Sequence, residues 1–210
     1  MRLHLYRFAV ALVGVSSLAA AQFGGGHSGT STEWAFGGRI AFDELNAFGE
    51  CFASKQTKDA IRLVSTQAGS ADEAGVYKEL FSKEQFCLGD LSGLNVPWRL
   101  VRGAIGEGFY TARLPVPPGL GLPRNLPPAK VQSVMDAATC YAGKHPDDAR
   151  ALIEQTKPAS KEQDVAFNAH WGDFEACLPA NMPVGYKFDT LLLRYRIAEA
   201  LWREGWVHGS

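Results

Sequence analysis

Four cysteines are the residues of this sequence with the clearest chemistry. Cys51 and Cys87 lie 36 positions apart, and Cys140 and Cys177 lie 37 positions apart. A four-cysteine metal site would use short C-x-x-C spacings, which the sequence lacks. Disulfide bonds are the other use of an even set of cysteines, provided that the chain enters an oxidising compartment.

The N-terminus predicts such a compartment. Residues 1–7 carry two arginines, residues 8–18 are uncharged and mostly apolar, and Ala19 and Ala21 form a small-x-small site before Gln22. We expect a secretory signal peptide, residues 1–21, that is cleaved during export to the periplasm or out of the cell. The alternative is an uncleaved membrane anchor, but the uncharged run of about 16 residues is shorter than the roughly 20 that span a bilayer.

A tandem repeat in the sequence selects one pairing of the cysteines. Segments of the second copy match segments of the first at a distance that grows from 89 to 92 residues along the chain. The matching segments are 51–53 with 140–142, 58–64 with 147–153, 87–88 with 177–178, and 102–107 with 194–199. Units that fold separately pair their cysteines internally. We therefore predict the disulfides Cys51–Cys87 and Cys140–Cys177, each worth about 3.8 kcal/mol in the chain-entropy model.

Histidine and aspartate offer a second chemistry, metal binding. His170 and Asp173 are three residues apart, so on a helix they would face the same way. The first copy has Leu80 and Lys83 at the equivalent positions, and two ligands do not make a site. His145 has no identifiable partner in the sequence. We interpret these as surface polar residues, and expect no metal, no catalytic residue and no cofactor.

Three charged positions occur in both copies: Asp59 with Asp148, Arg102 with Arg194, and Glu107 with Glu199. One interpretation is a pair of equivalent binding sites. The interpretation that we favour is structural, with Asp59, Arg102, Asp148 and Arg194 as ion-pair candidates. Each aspartate would serve a helix N-terminus, and each arginine would pair with an acid inside its own unit.

Three of the five tryptophans, Trp34, Trp98 and Trp206, have no aromatic counterpart in the other copy and lie near the ends of predicted elements. An aromatic side chain at an exposed edge is a common interface anchor. The alternative is that each simply covers the core.

Apolar residues at helical spacing predict the elements that position these groups, and no run alternates as a strand would. We expect eight helices, at 42–54, 57–66, about 71–87 and 97–110 in the first copy, and at 129–141, from Pro146, from Ser160 towards Cys177, and at 191–204 in the second. Thr57, Ser160 and Asp189 are the expected caps, and Pro146 suits a first turn. Three glycines in 97–110 either weaken that helix or mark a close helix contact.

The predicted fold class is therefore all-α, with two tandem, duplicated four-helix units, each stapled by one disulfide. A signal peptide (1–21) and a flexible leader (22–41) precede the first unit, 42–114. A Pro-rich linker, 115–128, separates it from the second unit, 129–210.

The net charge and composition of the chain limit the classes of function that it can have. The chain has 21 basic and 22 acidic residues, and removing residues 1–21 leaves 19 against 22, a net charge of −3. This argues against the strongly basic surface of a general nucleic-acid-binding protein, and we expect no nucleic-acid partner. No stretch after the signal is long and uncharged enough to predict an integral membrane span.

Two classes of function remain. The sequence lacks the G-x-S-x-G, H-E-x-x-H and P-loop motifs of common enzymes. We therefore favour an exported, non-catalytic helical interaction or scaffold protein that binds a protein, peptide or envelope component. The alternative is a periplasmic hydrolase with its site in the groove between the repeats, using some of Asp148, His170, Asp173 and Arg194.

Overall fold

A computed structural model of the protein describes residues 42–68, 70–82, 87, 97–120, 131–179 and 188–205. These residues form nine helices and no strand, which confirms the all-α prediction. The predicted signal peptide, the leader, Trp34 and Trp206 lie outside the described residues.

The N-terminal half contributes four helices: α1 (Phe42–Lys55), α2 (Thr57–Val64), α3 (Ala71–Phe81) and α4 (Trp98–Thr111). Ser70 begins α3, because its side chain accepts a hydrogen bond from the backbone N–H of Glu73. Thr57 is not the cap that we expected for α2. Gln56 occupies the N-cap position, and the Thr57 hydroxyl donates to the carbonyl of Ala53 at 2.7 Å.

The C-terminal half contributes five helices: α5 (Val134–Lys144), α6 (Pro146–Gln155), α7 (Lys161–Ala169), α8 (Trp171–Glu175) and α9 (Thr190–Arg203). Pro146 stands in the first turn of α6, and Ser160 and Asp189 cap α7 and α9 by accepting from the N–H groups of Gln163 and Leu192. These three helix starts agree with the sequence predictions.

The third predicted helix of this half is interrupted at His170, which ends α7 and begins α8. Around the break, the segment from Asn168 to Asp173 contains one strong helix former, Ala169; the other five residues, Asn, His, Trp, Gly and Asp, are weaker helix formers. A continuous helix towards Cys177 was therefore the wrong prediction. The break matters because it places His170 at a corner between two helices.

The core lies along α4 and α9, which pack against each other while α1 covers α4 and α5 covers α9. Every residue of α4 from Leu100 to Tyr110 is buried. The glycines of α4 mark close contacts. A Cβ added to Gly103 would lie 2.5 Å from the Tyr195 ring, and one added to Gly108 would lie 2.5 Å from the backbone of Gly49 on α1.

Both predicted disulfides are present. Cys51 on α1 is bonded to Cys87, and Cys140 on α5 is bonded to Cys177, which follows α8, with a Cα–Cα distance of 5.7 Å in each bond. We expected each bond to tie the first helix of its unit to the end of the third, but Cys87 and Cys177 lie after the observed ends of α3 and α8. Across the described ranges, the helices are too short or too polar to cross a membrane.

Candidate functional site

Arg102 on α4 is a buried arginine with two sets of partners. Its guanidinium donates to the carbonyl oxygens of Val64 and Thr66 at 2.9 and 3.1 Å, and so satisfies backbone groups at the end of α2. It also forms ion pairs with Glu199 on α9 at 2.7 Å and with Glu73 on α3 at 3.3 Å. Arg102 therefore ties its own half together and reaches across to the other.

Arg194 on α9 makes the corresponding contacts in the opposite direction. It donates to the carbonyl oxygens of Leu152 and Ile153 near the end of α6, both at 2.8 Å. Its ion pair, also at 2.8 Å, is with Glu107 on α4. The expectation that each arginine pairs inside its own unit is therefore wrong for Arg194 and incomplete for Arg102.

Glu199 is the centre of the larger charge network. Besides Arg102, the guanidinium groups of Arg196 and Arg203 each lie 3.0 Å from its carboxylate. Burial alone would raise the pKa of Glu199, but Arg102, Arg203 and Arg196 together lower it well below its usual range. The arginines and glutamates common to both halves are thus occupied with one another in the interior.

A second group of titratable residues lies on the surface of the C-terminal half. The Nδ1 atoms of His145 and His170 lie 3.9 and 3.7 Å from Asp148 Oδ2, and His170 Nδ1 lies 3.9 Å from Asp173 Oδ2. Ligand atoms of His145, Asp148 and Asp173 all lie within 4.8 Å of one another. We call His145, Asp148, His170 and Asp173 the His/Asp cluster.

Helix boundaries bring these four residues together. His145 is the single residue between α5 and α6, and Asp148 lies in the first turn of α6. His170 is the single residue between α7 and α8, and Asp173 lies in the first turn of α8. The disulfide Cys140–Cys177 joins α5 to the segment after α8, so it links the two parts of the chain that carry the cluster.

An aromatic layer lies beneath the cluster. The Tyr141 ring stacks on His145 at a centroid distance of 5.5 Å and meets Phe174 edge-on at 5.7 Å. Burial raises the pKa of the Tyr141 hydroxyl, and the carboxylates of Asp148 and Asp173 raise it further. The cluster therefore has an apolar floor and an open outer side, since its four side chains are between 29% and 50% exposed.

Of the residues named for the hydrolase alternative, the structure brings Asp148, His170 and Asp173 together. Arg194 is elsewhere, because it contacts the C-terminal part of α6 while Asp148 lies at the N-terminal end. His145 was missed by the sequence reasoning. The available signal was its position three residues before Asp148, at a predicted helix start.

The other predicted site residues are separate from the cluster. Asp59 lies in the first turn of α2. Trp98 is the first residue of α4 and is half-buried. The guanidinium of Arg99 lies 5.8 Å from the centre of the Trp98 ring. Val165 on α7, 68% exposed, is the one large apolar side chain left open to solvent among the described residues. A single exposed valine is not by itself an interface.

Comparisons of the chain with protein-family models, with curated proteins and with solved structures find no match. The functional argument below therefore rests on the residues and contacts of this chain.

Proposed function

We propose that this chain is an exported, non-catalytic helical protein that binds a protein, peptide or envelope component. In this proposal residues 1–21 are a cleaved signal peptide and 22–41 a flexible leader. Two tandem, duplicated four-helix units follow, 42–114 and 129–210, joined by the Pro-rich linker 115–128. Two disulfides in the described residues accord with an extracellular or periplasmic location.

Reciprocal contacts support the duplicated architecture. Arg102 and Arg194 occupy equivalent positions of the two repeats, and each satisfies the end of the second helix of its own half. Each also forms an ion pair with the glutamate of the opposite half, Glu199 or Glu107. Such an exchange is what two copies of one unit would make when they pack about an approximate two-fold axis.

The observation that carries the non-catalytic proposal is the burial of the charged groups shared by α4 and α9. Arg102 and Arg194 are each 1% exposed, and Glu199 is fully buried. Gly106 lies so close to Glu199 that an added Cβ would come within 2.9 Å of it, so the two helices leave no open groove at this point. A hydrolase site that uses Arg194 would need this contact to open.

Trp98 provides the residue-level test. We would replace Trp98 with a photo-reactive phenylalanine analogue in the exported chain, with Gln155, an exposed residue at the end of α6, as the matched position. Illumination in intact cells should give one discrete adduct from position 98 and none from position 155. Equal or absent adducts at both positions would refute a binding role for the Trp98 edge.

Export has its own test. Mass spectrometry of the protein recovered from the periplasm or medium should give a chain that begins at Gln22. Non-reducing peptide mapping should link Cys51 to Cys87 and Cys140 to Cys177. A chain that retains residues 1–21 with free thiols would contradict the proposed export.

A further inference from the structure

The separations within the His/Asp cluster are the starting observation. At 3.7 to 3.9 Å, the contacts of His145 and His170 with the two carboxylates are longer than hydrogen bonds, which end near 3.2 Å. Two ligands of one tetrahedral zinc ion, each about 2.1 Å from the metal, stand about 3.4 Å apart. The pairs His145–Asp148, His170–Asp148 and His170–Asp173 are therefore within about 0.5 Å of the spacing that ligands of one ion adopt. The ligand atoms of His145, Asp148 and Asp173 all lie within 4.8 Å of one another.

Helix electrostatics does not account for the whole cluster. A carboxylate in the first turn of a helix is favourable by itself, and Asp59 at the start of α2 is an example in the other half. Each imidazole stands at the C-cap of the preceding helix, His145 of α5 and His170 of α7, where a positive charge is favoured. This end effect does not require both imidazoles to face the same carboxylate, that of Asp148. Gln56 stands at the start of α2 where His145 stands at the start of α6, and Leu80 is the sequence equivalent of His170.

The surroundings favour a fixed ligand arrangement. His145 is stacked on Tyr141, and Asp173 precedes the buried Phe174. Because the disulfide Cys140–Cys177 holds the two segments together, binding an ion would order little additional chain. Mixed imidazole and carboxylate donors suit zinc and neighbouring divalent transition metals better than calcium or magnesium, which prefer oxygen ligands alone.

We propose that His145, Asp148 and Asp173, with His170 beside both carboxylates, form a binding site for a divalent transition metal ion of the zinc type. The proposal is independent of the partner-binding function, since it uses residues at the starts of α6 and α8 rather than Trp98 on α4 and requires no other protein.

Isothermal titration calorimetry with zinc chloride tests the proposal on the oxidised, untagged exported chain. His27→Ala and His208→Ala form the background, so that histidines outside the cluster do not contribute. We expect one zinc ion per chain. His145→Ala and Asp148→Asn should each weaken the affinity at least about tenfold. Asp59→Asn, the matched change in the other half, should leave it unchanged.

Nuclear magnetic resonance supplies a readout that needs no change in the cluster. In the unsubstituted chain, zinc should shift the ring signals of His145 and His170 at lower concentrations than those of His27 and His208. The proposal is overturned if zinc fails to bind the background chain. It is also overturned if His145→Ala and Asp148→Asn bind as tightly as Asp59→Asn, or if His27 and His208 respond first.

Discussion

The charge on Glu199 should be a major determinant of stability, and Glu199→Gln tests this directly. The amide has nearly the same shape as the carboxylate, so the substitution creates no cavity. It removes the charge that three guanidinium groups, those of Arg102, Arg196 and Arg203, share in the buried interior. These cations would remain buried with their main counter-charge lost.

The expected magnitude follows from burial and from the number of partners. Breaking a buried ion pair by removing one partner costs about 3–5 kcal/mol, and we expect Glu199→Gln in this range. Among the described residues Glu107 is paired with Arg194 alone, so Glu107→Gln should lie at the lower end of that range, at about 3 kcal/mol. Glu79, paired with Arg62 on the surface and 60% exposed, is the control, and Glu79→Gln should cost less than about 1 kcal/mol.

Urea denaturation of the disulfide-bonded protein at pH 7, followed by circular dichroism, measures these differences. With a denaturant slope of about 2 kcal/mol per molar, a loss of about 4 kcal/mol lowers the midpoint by about 2 M. The order of destabilisation should be Glu199→Gln, then Glu107→Gln, then Glu79→Gln. A Glu199→Gln midpoint indistinguishable from that of Glu79→Gln would refute the assigned role of the buried network.

Further predictions concern packing, pH and the disulfides. Gly108→Ala should destabilise the protein by more than 1 kcal/mol in the same assay, because its Cβ would meet the backbone of Gly49. Gly75→Ala in α3, with open space around it, should instead stabilise it by about 0.5–1 kcal/mol; the reverse order would contradict the α1–α4 contact. The pKa of Glu199 is lower in the folded chain than its unfolded value of about 4.3. As the pH falls, the Glu199 carboxylate of the unfolded chain therefore binds a proton before that of the folded chain does. The free energy of unfolding should therefore fall as the pH drops from about 5 towards 3, and Glu199→Gln should flatten this slope; an unchanged slope would contradict the lowered pKa. Replacing Cys140 and its partner with serine should cost about 3–4 kcal/mol in thermal or urea unfolding, and no loss would show that the bond is not needed for stability.

Local features of the fold were predictable from the sequence. The spacing of apolar residues and the capping residues predicted the positions of most helices to within a few residues. This is because the first turn of a helix is fixed by residues close in sequence, as when Ser160 accepts a hydrogen bond from the N–H of Gln163 at the start of α7. The cysteine spacing led to the observed pairing. The break at His170 was missed, because the apolar period continues across it and only the weak helix propensity of residues 168–173 indicates an end.

Contacts between residues far apart in the sequence were not predictable in the same way. Arg194 and Glu107 are 87 residues apart, and nothing in the spacing distinguishes Glu107 from the equivalent Glu199 as a partner. The His/Asp cluster posed a similar problem. Only the packing of α6 against α7 and of α5 against α8 brings His145 and Asp148 to Asp173, and a search along one helix finds at most two of the four residues.

Capture of the protein at native expression, after mild cross-linking in intact cells, tests the central claim of a binding function most directly. The exported chain, tagged at its C-terminus, should be recovered with one defined protein, peptide or envelope component. The same chain without residues 1–21 serves as the control and should lack that component. Recovery of the exported chain alone would contradict the account.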